Sequence, residues 1–126
     1  MRIGELSART GASRRSLRYY EEQGLVGSSR ASSGQRHYDE DQIERVRLIQ
    51  SFFAAGLSSR VILGMVPCMT TIPTLPAAQR SMEIMITERA RLDEAIEGLH
   101  AARAALENLI KENQLYQAGL ACRSSR

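Results

Sequence analysis

Apolar residues in the first part of the chain recur at helical spacing, and glycines divide them into two short helices. The first helix has a small apolar face formed by Ile3, Leu6 and Ala8. Gly11 permits a tight turn, and Ser13 is a residue type that commonly caps a helix N-terminus. A second helix over residues 14–23 is predicted to end at Gly24. Two short helices joined by such a turn form a helix-turn-helix candidate.

The segment after the second helix is too rich in glycine and serine to be helical, and it predicts a small hairpin. It spans residues 27–38, with Gly34 at its tip and residues 35–38 as the return strand. Asp39 is then predicted to cap a third helix, with Gln42 as its capping-box partner. One face of that helix is apolar and consists of Ile43, Val46, Ile49 and Phe53.

A fourth, short helix is predicted after Gly56, with Ser58 as its N-cap. The third and fourth helices together form a helical bridge over residues 39–66. Three prolines lie within residues 67–76, so this stretch is predicted to be a linker.

The final element is a long helix over residues 77–114, which contains no proline and one glycine, Gly98. Two series of residues run through it at seven-residue spacing, and their apolar members form a seam: Met85, Leu92, Ile96, Leu99, Leu106 and Ile110. This spacing is typical of a coiled coil, so we expect a homodimer through this helix. The alternative is a helix folded back on its own domain. Arg89 and Arg103 interrupt the seam and are expected to reach solvent or to pair with nearby acids. Residues 115–126 form the predicted C-terminal tail.

Charge is distributed unevenly along the chain. Residues 1–38 hold seven arginines against three glutamates, whereas the rest of the chain carries ten basic and eleven acidic residues. A basic module attached to a nearly neutral body favours an anionic partner, of which nucleic acid is the usual one. From charge alone, an ordinary arginine-rich surface without an anionic partner is an equally good interpretation.

The predicted second helix carries the strongest candidates for DNA contact. Four of its residues share one broad face: Arg14, Arg15, Arg18 and Tyr19. The planar fork of arginine can hold a guanine edge or a phosphate through two bonds. The hairpin adds Arg30 and Arg36, so the arrangement predicts a winged helix-turn-helix whose recognition helix enters the major groove. The alternative is a solvated helix face whose arginines pair with Glu21 and Glu22.

Other classes of function have little support in the sequence. It contains no Ser/His/Asp set, glycine-rich phosphate loop or metal motif, so we expect neither an enzyme nor a bound cofactor or metal. The longest nearly apolar stretch, residues 61–69, is far too short to cross a membrane. The first residues lack the apolar region of a signal peptide, so a cytoplasmic location is expected.

The segments IGELSARTGASRRSLRYYEEQGLV and SGQRHYDEDQIERVRLIQSFFAAGLS resemble the MerR family of bacterial transcription regulators. The resemblance covers residues 2–66, and the long helix matches in kind. It implies a mostly α fold, in which a winged helix-turn-helix DNA-binding domain is followed by a long helix that forms an antiparallel coiled-coil dimer. By position it implies DNA contacts from Arg15, Arg18, Tyr19 and, in the wing, Arg36. Tyr38 is implied to support or contact the DNA backbone there, and Arg60 is a further phosphate candidate.

The resemblance also implies a mechanism. Members of the family bind a pseudo-palindromic promoter as homodimers, and an effector shifts the dimer so that the DNA spacer is bent and untwisted for RNA polymerase. We therefore expect an effector-responsive regulator whose partners are double-stranded promoter DNA and RNA polymerase. The alternative is an architectural or excisionase-like DNA-binding protein without an effector.

The effector itself is poorly indicated by the sequence. The metal-sensing branches of the family place two cysteines around a loop after the long helix, whereas this chain has Cys122 alone there. In an antiparallel dimer, Cys68 of one subunit is expected near Cys122 of the other, where two thiols could form a disulfide or bind a soft ion. The stronger alternative is that Cys68 is a buried apolar residue and Cys122 lies on a frayed tail. A pocket for an apolar ligand near the methionine-rich linker is a further possibility.

Overall fold

The computed structural model describes residues 1–69 and 74–124, and this described part is mostly helical, as predicted. Its α-helices are α1 Ile3–Thr10, α2 Arg14–Glu22, α3 Asp41–Ala54, α4 Ser59–Leu63 and α5 Leu75–Ser124. An antiparallel hairpin pairs β1 Ser29–Arg30 with β2 Arg36–His37, and a short 3-10 helix, Val66–Met69, follows α4. The chain divides into two compact units, Met1–Ile86 and Thr87–Arg126.

Local signals in the sequence account for the helix-turn-helix. The Ser13 hydroxyl accepts a hydrogen bond from the Ser16 backbone N–H at 3.0 Å, which confirms Ser13 as the N-cap of α2. Gly24 adopts a φ of +76° after α2, and the next N–H, that of Leu25, donates to the Tyr20 carbonyl at 2.9 Å. This reversal places Leu25 in the core, where its side chain is fully buried.

The hydrophobic core of the first unit draws on α1 to α4. Its buried residues are Leu6, Ala12, Leu17, Tyr20, Leu25, Val26, Tyr38, Ile43, Val46, Ile49, Ile62 and Met65. Phe53 is half-buried and stacks on Tyr20 with ring centroids 5.5 Å apart. Ala8 was predicted to lie on the apolar face of α1, and this prediction was wrong because the residue is exposed. Ala12, beyond the turn, is buried instead.

The start of α3 differs from the predicted capping box. The helix begins at Asp41, and Glu40 occupies the N-cap position without a side-chain hydrogen bond. The Gln42 backbone N–H donates to the Asp39 backbone carbonyl, while the Gln42 side chain accepts a hydrogen bond from the Gly27 N–H at 3.3 Å. The glutamine therefore fixes the segment after α2 rather than capping its own helix. The predicted cap of α4 is confirmed, since Ser58 accepts from the Val61 N–H.

The long helix extends beyond both predicted ends. It begins at Leu75, because the Thr74 hydroxyl accepts a hydrogen bond from the Ala77 N–H at 3.3 Å, and Pro76 is tolerated in a first helical turn. It continues to Ser124, so most of the predicted tail is helical. One glycine in that region costs only about 1 kcal/mol relative to alanine, which is too little to end a long helix. Residues 70–73 of the predicted linker lie outside the described residues.

The apolar side chains of α5 have different surroundings in the two units. In the first unit Ile84 packs against the core and Ser81 is buried. In the second unit the predicted seam residues are between 50% and 70% exposed, and Leu99 is the most exposed of them. Arg103, which interrupts the seam, lies 3.9 Å from Glu107 one turn further on. No helix in the described ranges is long and apolar enough to span a membrane.

Candidate nucleic-acid interface

The face of α2 opposite the core is exposed and basic. It carries the four residues predicted for DNA contact: Arg14, Arg15, Arg18 and Tyr19. Within the described part of the chain, the three arginines make no ion pair and no hydrogen bond with other residues. Their guanidinium donors are therefore available to an external acceptor. Pairing of these arginines with Glu21 or Glu22, the alternative to a DNA-contacting face, is not found.

Arg14 is held against the first helix. An alanine Cβ at Gly4 would lie 2.7 Å from Nη2 of Arg14, so the guanidinium rests directly over the backbone of α1. The absence of a side chain at Gly4 permits this approach. Arg14 therefore lies where α1 and α2 meet.

Tyr19 connects α2 to the beginning of α4. Its hydroxyl donates a hydrogen bond to Oγ of Ser59 at 3.2 Å, while 43% of the residue stays exposed. The exposed Arg60 follows Ser59 in the chain. The predicted phosphate candidate Arg60 is thus placed next to a residue that contacts the recognition helix.

The hairpin forms the predicted wing, and its two arginines behave differently. Arg30 donates from Nη1 to the Gly34 carbonyl at 3.0 Å, so its side chain helps to close the hairpin turn. Arg36 is paired opposite Arg30 in the ladder, and its side chain bonds to α2 instead. Gly34 has a φ of +82°, which explains why a glycine stands at this turn.

Glu21 joins the recognition helix to the wing. Its carboxylate accepts hydrogen bonds from Nη1 of Arg36 at 3.1 Å, from the Tyr38 hydroxyl at 2.9 Å and from the Ser28 hydroxyl. The Glu21 side chain is 19% exposed, so these donors replace most of the water around its charge. Glu21 was not predicted to join these elements, since its contacts link residues 7 to 17 positions apart in the chain.

Tyr38 supports the wing from within. Its side chain is fully buried, and burial, followed by the hydrogen bond to Glu21, raises the pKa of its hydroxyl above the ordinary value of 10.0. A buried side chain offers no surface to DNA. This burial argues against direct contact of Tyr38 with DNA, while the supporting role implied by the family resemblance stays a prediction.

A basic groove of about 310 Å³ lies between α1, α2 and the wing. Its lining consists of Arg2, Ile3, Arg18, Gln35 and Arg36. The structure therefore brings together two predicted contact residues, Arg18 and Arg36, and adds Arg2, which was not singled out from the sequence. Arg2 is brought to the wing because the preceding residue, Met1, accepts a hydrogen bond from the Tyr38 backbone N–H at 2.7 Å.

The two cysteines that were effector candidates lie in different elements. Cys122 is exposed on α5, within the helix rather than on a frayed tail. Cys68 belongs to the 3-10 helix, and its side chain lies outside what the structure describes. The predicted approach of the two thiols thus stays a prediction.

A helix-turn-helix with an exposed arginine face and a basic wing defines a DNA-binding protein. The family model described as "MerR HTH family regulatory protein" matches residues 1–67 of this chain. The chain belongs to the MerR family, whose members are transcription regulators and not enzymes.

Individual relatives agree with this assignment. The chain is 33% identical over 111 residues to a homolog of the transcriptional activator SoxR from Chromobacterium violaceum, which covers 86% of this chain and 72% of the relative. It is 42% identical over 62 residues to the nodulation protein NolA of Bradyrhizobium, of which it spans only 26%.

Solved structures share the fold. The lead(II) complex of the regulator PbrR691 from Ralstonia metallidurans superposes with a TM-score of 0.74 at 22% identity, over 88% of this chain and 86% of that one. The regulator HiNmlR, bound to promoter DNA and lacking a sensor domain, gives a TM-score of 0.52 at 21% identity. That superposition covers 82% of this chain and 86% of HiNmlR. At these identities the likeness concerns the fold alone.

Proposed function

We propose that this regulator binds a pseudo-palindromic promoter as a homodimer and alters transcription in response to an effector. The observation that carries the proposal is the convergence of Arg18 from the recognition helix and Arg36 from the wing on one basic groove. A groove lined from both elements suits a duplex that presents base edges to the helix and phosphates to the wing.

The recognition helix is proposed to read the sequence of the DNA. Arg15 and Arg18 are exposed and have no partner among the described residues, so each can form two hydrogen bonds to a guanine edge. Arg14, Tyr19, Arg36 and Arg60 are assigned to the sugar-phosphate backbone. Such contacts fix the register of the protein but carry no sequence information themselves.

A second copy of the chain is proposed to cover the apolar stripe of α5. Seam residues between Leu92 and Ile110 recur at heptad spacing and are at least half exposed. Burial of exposed apolar surface is worth about 25 cal/mol per Å², so several covered leucine and isoleucine side chains favour association. A twofold dimer would place two recognition helices about one DNA turn apart, which requires a pseudo-palindromic site.

Activation is proposed to work through the shape of the DNA. Binding at both half-sites offsets the cost of bending and untwisting the spacer, and an effector that favours one dimer geometry then realigns the promoter for RNA polymerase. The relatedness to a named transcriptional activator supports activation over simple occupancy.

The test is footprinting combined with run-off transcription on the chain's own promoter, with a panel of metals, oxidants, electrophiles and drugs. The proposal predicts a footprint between the promoter elements and increased transcript with at least one compound. A footprint without any change in transcript would instead favour an architectural role.

The cysteines remain the effector candidates to test in that assay. Cys68→Ser and Cys122→Ser are expected to lose the response to oxidants or thiophilic metals if the two thiols meet across the dimer. If both variants respond to every inducer as the parent does, the cysteines have no part in sensing.

A further inference from the structure

Three arginines from separate elements share the basic groove of the first unit. Arg2 precedes α1, Arg18 lies on α2 and Arg36 lies on β2, and all three line the same space of about 310 Å³. The hydrogen bond between the backbones of Met1 and Tyr38 holds the first of these segments beside the wing. The convergence therefore arises from the backbone pairing as well as from side-chain positions.

The groove has an excess of positive charge. No acidic side chain is among its lining residues, and within the described ranges Arg2 and Arg18 have neither an ion pair nor a hydrogen bond to another side chain. Guanidinium groups close together repel one another unless an anion lies between them. A phosphate fits this requirement, because its oxygens accept several charge-assisted hydrogen bonds at once.

Arg36 differs from Arg2 and Arg18 because its side chain is held by a carboxylate of α2. Its Nη1 donates to Glu21, whose carboxylate is fixed in turn by the hydroxyls of Tyr38 and Ser28. A guanidinium has five N–H donors, so this bond leaves others for a ligand in the groove. The Arg36 side chain is 47% exposed, whereas that of Glu21 is 19% exposed. The carboxylate is therefore the more buried of the two groups, and the guanidinium lies at the surface.

We propose that Arg2, Arg18 and Arg36 together hold one backbone phosphate of duplex DNA, with Glu21 as the positioning residue for Arg36. The inference rests on the proposed DNA binding and deepens it by adding Arg2 to the interface. Arg18 then contributes to phosphate binding beside its proposed reading of a base. Glu21 joins the recognition helix to the wing, so the two elements bind the DNA together.

A salt titration on a random-sequence duplex tests the groove without knowledge of the operator. The affinity of a DNA-binding protein falls with salt, and each phosphate contact adds about 0.9 to the slope of log K against log salt. Arg2→Gln should lower that slope by a part of this value, because Arg18 and Arg36 still hold the phosphate, and should weaken binding several-fold. The matched control is Arg9→Gln, which removes the same charge from the other end of α1, where Arg9 is bonded to Glu40 at 2.9 Å. It should leave the slope unchanged.

The role of Glu21 is tested against its neighbour. Glu21→Gln and Glu22→Gln remove the same charge from α2, but Glu22 is exposed and has no contact with the wing among the described residues. Loss of a negative charge alone strengthens DNA binding, so Glu22→Gln should bind as tightly as the parent or more tightly. Glu21→Gln should bind several-fold more weakly than Glu22→Gln and should show a lower slope. Arg36→Gln should weaken binding less in the Glu21→Gln background than in the parent chain, since Glu21 acts through Arg36.

Each result decides between the proposal and its rejection. The proposal is overturned if Arg2→Gln has the same salt slope as the parent chain, or if Arg9→Gln loses as much slope as Arg2→Gln. It is also overturned if Glu21→Gln and Glu22→Gln have the same DNA affinity and salt slope. Lower stability of Glu21→Gln with an unchanged slope would also overturn it, because a purely structural residue behaves in that way. Failure of the proposed function looks different, since the parent chain itself would then show no salt-dependent DNA binding.

Discussion

Arginine serves two purposes in the first unit, and burial separates them. Arg45 on α3 donates from Nε to the Leu25 carbonyl at 2.6 Å, and burial lowers the pKa of its guanidinium, so this residue is part of the scaffold. Arg15 and Arg18 are exposed, and none of their donors is bonded to another of the described residues. The number of arginines therefore indicates an anionic partner, but burial and contacts within the fold decide which of them can bind it.

At the residue scale, Tyr38→Phe tests the support of the wing. Loss of one donor to the Glu21 carboxylate should lower the free energy of unfolding by about 1–2 kcal/mol. The pKa of Tyr38 is raised in the folded state, so its contribution is complete below the unfolded pKa and is lost as pH rises through the folded pKa. In denaturant titrations across that range the variant should lose less stability than the parent, and the loss that remains comes from Tyr20, whose pKa is also raised by burial.

Tyr116→Phe is the matched control, because Tyr116 is 67% exposed on α5 and has no partner among the described residues. It should change neither the stability nor its dependence on pH. Equal stability of the parent and Tyr38→Phe would show that the hydroxyl contributes nothing to the wing.

At the element scale, the sequence predicted what depends on neighbours in the chain. Ser13 and Ser58 each accept a hydrogen bond from the backbone N–H three residues further on, so residue type and spacing were enough. Gln42 failed as a capping partner because a distant N–H, that of Gly27, competes for its side chain. The end of α5 was misplaced because the segment after residue 114 contains no proline, and its one glycine, Gly119, costs too little to end a long helix.

Gly24→Ala tests the end of the recognition helix. Gly24 has a φ of +76°, a conformation that costs a residue with a Cβ about 1 kcal/mol or more, so the free energy of unfolding should fall by that amount. Gly27→Ala is the control in the next loop, since Gly27 lacks a positive φ and a Cβ there meets nothing within 4 Å. It should be neutral or slightly stabilising. Equal effects of the two changes in a denaturant titration would remove backbone conformation as the reason for Gly24.

At the scale of the whole molecule, the sequence predicted the exposed arginine face of α2 but not how the groove beside it is assembled. Arg15, Arg18 and Arg36 stand in recognisable local patterns. Arg2 and Glu21 became visible only in the folded chain, because their roles depend on contacts with the wing. Periodicity predicts which residues share a face, whereas tertiary contacts decide which faces meet.

Leu99→Glu tests the proposed dimer. Leu99 is the most exposed of the predicted seam residues in the single chain, so a charge there is tolerated by the monomer but would be buried without a partner in a coiled coil. Light scattering should give the dimer mass for the parent and the monomer mass for the variant at micromolar concentration. Ala101→Glu adds the same charge on the opposite side of the heptad and should remain a dimer. A parent chain that is monomeric would refute the paired half-site arrangement.

The most direct test of sequence-specific DNA reading is the ratio of affinities for the chain's own promoter duplex and a random duplex at one salt concentration. Arg15→Ala and Arg18→Ala are expected to reduce that ratio, each by about 1–3 kcal/mol of discrimination, with unchanged helix content. Arg60→Ala, a proposed phosphate contact, should weaken binding to both duplexes alike. If the parent ratio persists in both α2 variants, α2 does not read the promoter and the account of this interface is wrong.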